Sequence, residues 1–283
     1  RKPRISKKVK MILGMKVRKH DYLELSKINP EILEFHFSDS DLNLEIEGKY
    51  NKQLIVHCYE YFDKKLLDIV SLKETNQVHS QEKTIKLIQK AIDKTIKLNE
   101  HFTGTPSIII HPGGYSLNEL DNFEINKMKN MLIPAVEQLD KKNVNFLLEN
   151  MPPYAWFFGG RWNSNVFLKS SEIIEYCKKT GLQVCFDICH SQLYCNKNKI
   201  SVIDELNNIK KFTNHFHLSD ADDVDEEGLQ FGEGNMPFDK IIPILNEDTG
   251  KSFAIEVWKG HENGGKGFVE FLNKIKQAGL IVN

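Results

Sequence analysis

Six short apolar runs in this chain each stop on a residue that can bind a metal ion or carry a proton. They read LIVH at 54–57, IIIH at 108–111, FLLE at 146–149, VCFD at 184–187 with His190 just beyond, HFH at 215–217 and FAIE at 253–256. Glu149, Asp187, His217 and Glu256 are three carboxylates and an imidazole, a donor set for one or two divalent ions such as Mn2+, Mg2+, Co2+ or Zn2+. Glu149 and Glu256 carry the most weight. Each closes a wholly apolar run, and a carboxylate at the edge of a dry core needs a cationic partner. The same two are the candidate acid and base. His190 is a third catalytic candidate, able to bind metal, hold a substrate hydroxyl or transfer a proton. His57 and His111 end their strands in the same way and could meet a second ion or substrate oxygens. His215 is read as a packing residue, on the side of its strand away from His217.

Immediately after Glu149, the stretch 151–162 (MPPYAWFFGGRW) concentrates aromatic residues. It is expected to form a lid in which Trp156 and Trp162 stack on a sugar while Arg161 meets an anionic group. Packing against an outer helix or a second subunit is the competing role. Gly232-Glu233-Gly234 reads as a tight turn near the same mouth, with Glu233 anchoring a loop.

These groups must be held by a regular scaffold. Eight strand-like stretches occur at 10–17, 31–37, 53–58, 107–111, 145–150, 183–188, 215–219 and 252–257. Helical spacing separates most of them, as in Ile85, Ile88, Ile92 and Ile96, or Val202, Leu206 and Ile209. A helix over 170–180 is expected to take a serine cap and to stop at Gly181, and Pro134 is expected to kink the helix before it. The crossover at 40–50 is short and weakly periodic. Strand–helix alternation repeated eight times, with strands apolar on both faces, specifies a closed (β/α)8 TIM barrel in one domain spanning 11–283. Functional groups shared among six consecutive strand ends suit a ring better than the single crevice of an open sheet.

Composition is that of a globular protein: 40% of the 283 residues are hydrophobic, 27% are charged and the net charge is −1. Near-neutrality argues against nucleic acid or an anionic membrane as partner. Five cysteines without CxxC spacing point to reduced thiols and a cytoplasmic protein. No stretch is long and apolar enough to span a membrane, and no secretory signal is expected. Residues 1–10 form a basic arm, read as a linker or tail. The sequence contains no GxSxG, Walker or GxGxxG motif.

In these residues the chain resembles the xylose isomerase-like TIM-barrel superfamily, which includes sugar isomerases, ketose 3-epimerases, inosose dehydratases and endonuclease IV. The motifs keep their order: His57, HPG at 111–113, LEN at 148–150, FDICHS at 186–191, HFHLSDA at 215–221, GEG at 232–234 and IEVW at 255–258. The resemblance implies that Glu149, Asp187, His217 and Glu256 hold the metal of an epimerase-type centre and that His190 contacts substrate. It implies a metal-dependent isomerase or epimerase that works on a sugar or sugar derivative through an enediolate. Two departures narrow it. Endonuclease IV carries Asp-x-His before its GEG turn, for its three-zinc cluster, whereas this chain has Glu226-Glu227-Gly228. The ketose epimerases place an arginine six residues after the strand-7 histidine, where this chain has Asp223. The run at 215–234 is also similar to sugar-isomerase-like barrels associated with nonulosonic (sialic-type) acid biosynthesis. The alternatives are an apurinic endonuclease and a non-catalytic metal-binding barrel domain of a larger sugar-biosynthesis enzyme. A homo-oligomer or fusion to a second biosynthetic domain is the expected assembly.

Overall fold

All eight strand-like stretches form strands, and every pairing between them is parallel. The computed structural model describes residues 10–247 and 250–283, so the arm expected at 1–10 lies outside the described residues apart from Lys10. The strands are β1 (Ile12–Val17), β2 (Ile32–His36), β3 (Gln53–His57), β4 (Ser107–Ile110), β5 (Asn145–Glu149), β6 (Val184–Asp187), β7 (Thr213–Leu218) and β8 (Ser252–Ile255). Each pairs with its neighbours in sequence, and β1 closes the ring on β8 with Leu13 beside Phe253 and Gly14 beside Ala254. The result is a single closed (β/α)8 barrel.

Helices α1 (Gln81–Leu98), α2 (Asn122–Glu137), α3 (Ser170–Thr180), α4 (Ile188–Asn198), α5 (Val202–Ile209), α6 (Phe238–Glu247) and α7 (Glu262–Gln277) surround the barrel. Side-chain caps start α1, α2 and α5 at Ser80, Asp121 and Ser201, each accepting a backbone N–H that would otherwise go unpaired. Helix α3 differs from expectation. Its N-cap is Lys169, and Ser170 instead bonds Glu205 on α5. Gly181 ends it in the left-handed conformation, as expected. The weak pattern at 40–50 has a structural cause: the β2–β3 connection carries only the 3-10 turn Asp39–Asn43, held by a Ser38–Asp41 capping box.

Strand alternation divides the core in two. Outward residues such as Leu33, Phe35, Val56, Phe146, Phe186, Phe216 and Phe253 are buried against the helices. Inward residues Ile32, Ile55, Ile109, Leu147 and Cys185 form a separate apolar plug. Above the plug, two residues further along each strand, the inward positions turn polar: Lys16, Glu34, His57, His111, Glu149, Asp187 and His217. That change in one layer makes the site. Among the described residues no helix is long and apolar enough to cross a membrane, and all five cysteines are free and buried.

Candidate metal centre and its cavity

His217 stands at the centre of the polar layer. Its Nδ1 lies 2.8 Å from Glu149 Oε1, 2.9 Å from Glu256 Oε2 and 4.0 Å from Asp187 Oδ2. The ligand atoms of these four residues all fall within 4.8 Å of one another. One ring nitrogen carries at most one proton and cannot donate to two carboxylates together. Crowding of this kind is the donor set a divalent cation relieves. The four residues therefore fit the expected ion.

Neighbouring elements orient these candidate ligands. Asp187 caps α4, its Oδ1 accepting from His190 N at 2.8 Å, which leaves Oδ2 toward the centre and puts His190 on the first helical turn. Asn150 bridges β5 and β6: its Nδ2 donates to Asp187 O and its Oδ1 accepts from Asp187 N. Glu149 has no exposure and also accepts from His57 Nε2 at 3.0 Å, with His111 Nε2 at 3.2 Å.

Electrostatics follow this packing. Burial would raise the Glu149 carboxyl, but the charge of His217 and the bonds from His111, His217 and His57 hold it well below the usual range. Burial pushes Asp187 up to about 6 against the pull of His190. His190 is raised to about 9, because Asp187, Glu149 and Glu227 outweigh its burial. Glu227, 3.6 Å from His190, is pushed up to about 7 by burial.

Three residues at this centre escaped the sequence reading. Glu34 on β2 is fully buried, with Oε1 accepting from His217 Nε2 at 3.0 Å and Oε2 from His215 Nε2 at 2.9 Å. With a proton held on Nε2 by Glu34, Nδ1 is the nitrogen that would meet an ion at this centre, as in carboxylate–histidine support of a metal. Lys16 bonds Glu256 and lies 4.0 Å from Glu34. His36 stacks on His57 at 5.0 Å between ring centroids. The missed signal was alternation: Ile32, Glu34 and His36 share one face of β2, and Lys16 pairs in register with Glu34.

The same rule corrects His215. Residues two apart on a strand share a face, so His215 points into the barrel beneath His217 and bonds Glu34 and Ser252. Gly14 and the small Ala254 leave the room: a Cβ on Gly14 would sit 3.0 Å from Phe253 O and 3.5 Å from the His215 ring.

A cavity of about 270 Å³ opens above the centre, lined by Glu256, Asp187, His190 and His111 among others. That size suits a small molecule. Glu256 reaches it with a side chain 32% exposed, whereas Glu149, His57 and His217 lie beneath its floor.

The 151–162 stretch is a β-hairpin, Tyr154–Phe157 with Gly160–Ser164, extended by Tyr115–Ser116. Strand alternation splits its aromatics. Trp156 is 51% exposed and lines the cavity. Trp162 is 4% exposed, packed with Leu66, Val78, Tyr115 and Phe157 in a core beneath the hairpin, and does not line the cavity. Arg161 also departs from the expected role: it stacks on Tyr154 at 4.3 Å and pairs with Asp225 at 3.2 Å, outside the cavity lining. Glu233 accepts from Gln230 N within its own turn. Asp220 is the loop anchor, accepting from Ala221, Gly232 and Met236 backbone N–H groups.

Residues 31–278 match the sequence profile of the family described as Xylose isomerase-like TIM barrel. The chain belongs to that family. A curated relative, an uncharacterised protein of Methanocaldococcus jannaschii, is 25% identical over 261 residues, covering 87% of this chain and 85% of that protein. Similar solved structures include a D-tagatose 3-epimerase-like protein, with a TM-score of 0.68, 17% identity, and coverage of 94% of this chain and 99% of that one. An L-ribulose 3-epimerase gives 0.63, 13%, 95% and 94% in the same order. Endonuclease IV from Thermus thermophilus gives 0.62, 14%, 94% and 99%. At these identities the structural likeness shows the fold. The fold is thus shared by sugar epimerases and an endonuclease and does not by itself separate them.

Proposed function

We propose that this xylose isomerase-like barrel is a divalent-metal-dependent isomerase or epimerase acting on a sugar or sugar derivative, working in the cytoplasm. The observation that carries the reading is the convergence of Glu149, Asp187, His217 and Glu256 within 4.8 Å at the floor of a small cavity. A divalent ion held by these four would supply positive charge that favours negative charge growing on substrate oxygens. The chain's own groups do the remaining work. Glu256 reaches the cavity and is the group to take a proton from the substrate carbon. Glu149, beside the same His217 nitrogen, is the second proton-transfer carboxylate. His190, raised to about 9, stands ready to donate to a substrate hydroxyl. His111 lines the same wall, while His57, beneath the floor, supports Glu149. Trp156 covers the mouth and limits water access to the enediolate.

Glu149→Gln and Glu256→Gln should each lower turnover by at least about 100-fold and abolish exchange of substrate hydrogen with solvent. Retained exchange in both variants would remove the proton-transfer assignment. The nuclease alternative is favoured by the fold alone, and Gly228 stands where the third-zinc histidine would be needed. Metal analysis giving three zinc ions per chain, with nicking of an abasic-site duplex, would overturn the sugar reading.

A further inference from the structure

The cavity is electrically lopsided. Barrel order sets β8, β1 and β2 side by side. From these three adjacent strands come Lys16 and Arg18 at the end of β1, His36 at the end of β2 and Lys259 beyond β8, all lining the cavity. Of the acidic lining residues, Glu60 and Glu227 come after β3 and β7, Asp187 ends β6, and Glu256 directly follows β8 itself.

Lys16 is committed to Glu256 and Glu34. Arg18 and Lys259 are not: among the described residues neither side chain has an ion-pair partner. The Nη1 of Arg18 is buried and without a hydrogen-bond acceptor, and Nδ1 of His36 is buried with no hydrogen-bond partner. A buried guanidinium nitrogen with no acceptor is costly to keep. It is satisfied when a ligand brings the acceptor, and the planar fork of arginine suits carboxylate or phosphate oxygens.

We propose that the Arg18–His36–Lys259 wall is an anion subsite, and that the substrate is a sugar bearing a carboxylate or phosphate whose charge lies there while its carbonyl end faces Glu256. This rests on the sugar-isomerase reading of the same cavity. A molecule spanning the mouth would set its hydroxyls over the carboxylate side and its anion over the wall contributed by β8, β1 and β2. The expected roles are thereby exchanged: Arg161, outside the cavity lining, is replaced as anion partner by Arg18.

The test is calorimetric binding to the full chain, both loaded with Mn2+ and chelated, using D-fructose, D-fructose 6-phosphate, D-fructuronate and inorganic phosphate as probes. At least one charged sugar should bind about tenfold or more tightly than D-fructose. Arg18→Gln and Lys259→Gln should each reduce that ratio, Arg18→Lys should restore part of it, and added salt should weaken only the charged probes. The probe with the larger Arg18-dependent gain identifies the substituent. Equal binding of neutral and charged sugars would overturn the subsite and leave the isomerase reading standing. An anion preference unchanged in both variants would also overturn it. Arg18-dependent binding of inorganic phosphate with no sugar bound would uphold the subsite and sink the sugar reading. Binding of no probe at all would overturn the inference.

Discussion

Replacing Glu34 with alanine tests the architecture beneath the centre, because Glu34 touches neither the cavity nor the carboxylate ligands. Its two oxygens accept from His217 and His215 at 3.0 and 2.9 Å in a fully buried setting. Removing them leaves two imidazole N–H groups without acceptors and takes one counter-charge from Lys16, 4.0 Å away. A hydrogen bond to a charged group contributes about 1.5–3 kcal/mol, and breaking one side of a buried charged network costs about 3–5 kcal/mol. Glu34→Ala should therefore lose about 3–5 kcal/mol of folding stability, read from urea denaturation of the chelated protein at pH 7. His217 also loses the acceptor that keeps its proton on Nε2, so Nδ1 is no longer reserved for a ligand. Mn2+ affinity by calorimetry should fall about 10–100-fold, as for other partners that orient a metal ligand. Glu34→Gln keeps one acceptor but turns an amide donor toward a second donor, and should fall between wild type and alanine. A Glu34→Ala protein of unchanged stability, binding Mn2+ within about twofold of wild type, would refute this account.

Trp162→Ala should destabilise by about 3–5 kcal/mol by opening the core under the hairpin, whereas Trp156→Ala should leave stability unchanged and raise KM for the sugar. Equal effects of the two on denaturation midpoint would contradict the inside–outside split. Asp68 accepts backbone N–H groups of Val70, Gly114 and Tyr115, yet burial pushes its carboxyl up to about 6. A carboxyl raised in the fold releases its proton from the unfolded chain first, so stability falls as pH climbs from about 4 to about 6, by about 3 kcal/mol for this group. The stability difference between wild type and Asp68→Asn should shrink or reverse across that window, and a difference flat from pH 4 to 7 would exclude the shift. Adding Mn2+ at about 100 times its dissociation constant should stabilise the chelated protein by about 2.7 kcal/mol. Glu149→Gln should abolish that gain; a full gain in the variant would remove Glu149 from the ligand set.

Much of this protein is legible residue by residue. Apolar runs ending on Glu149, Asp187 and Glu256 mark both the strands and the ends that carry the candidate site, because a buried parallel strand must be apolar until it leaves the core. What escaped was relational. The error at His215 was local, since alternation alone puts it on the face of His217. Glu34 and Lys16 are different: alternation points them inward, but only β1–β2 register sets them side by side, and only ring closure on β8 brings Lys16 to Glu256. Trp156 and Trp162 look equivalent in the sequence, and the hairpin decides that one faces the cavity and the other a private core. Arg18 and Lys259 are separated by most of the chain and become one wall through the same closure. Sequence by itself determines which residues lie on a strand face, because backbone geometry repeats every two residues. Tertiary structure decides which faces meet, because register and closure depend on the packing of every strand in the ring.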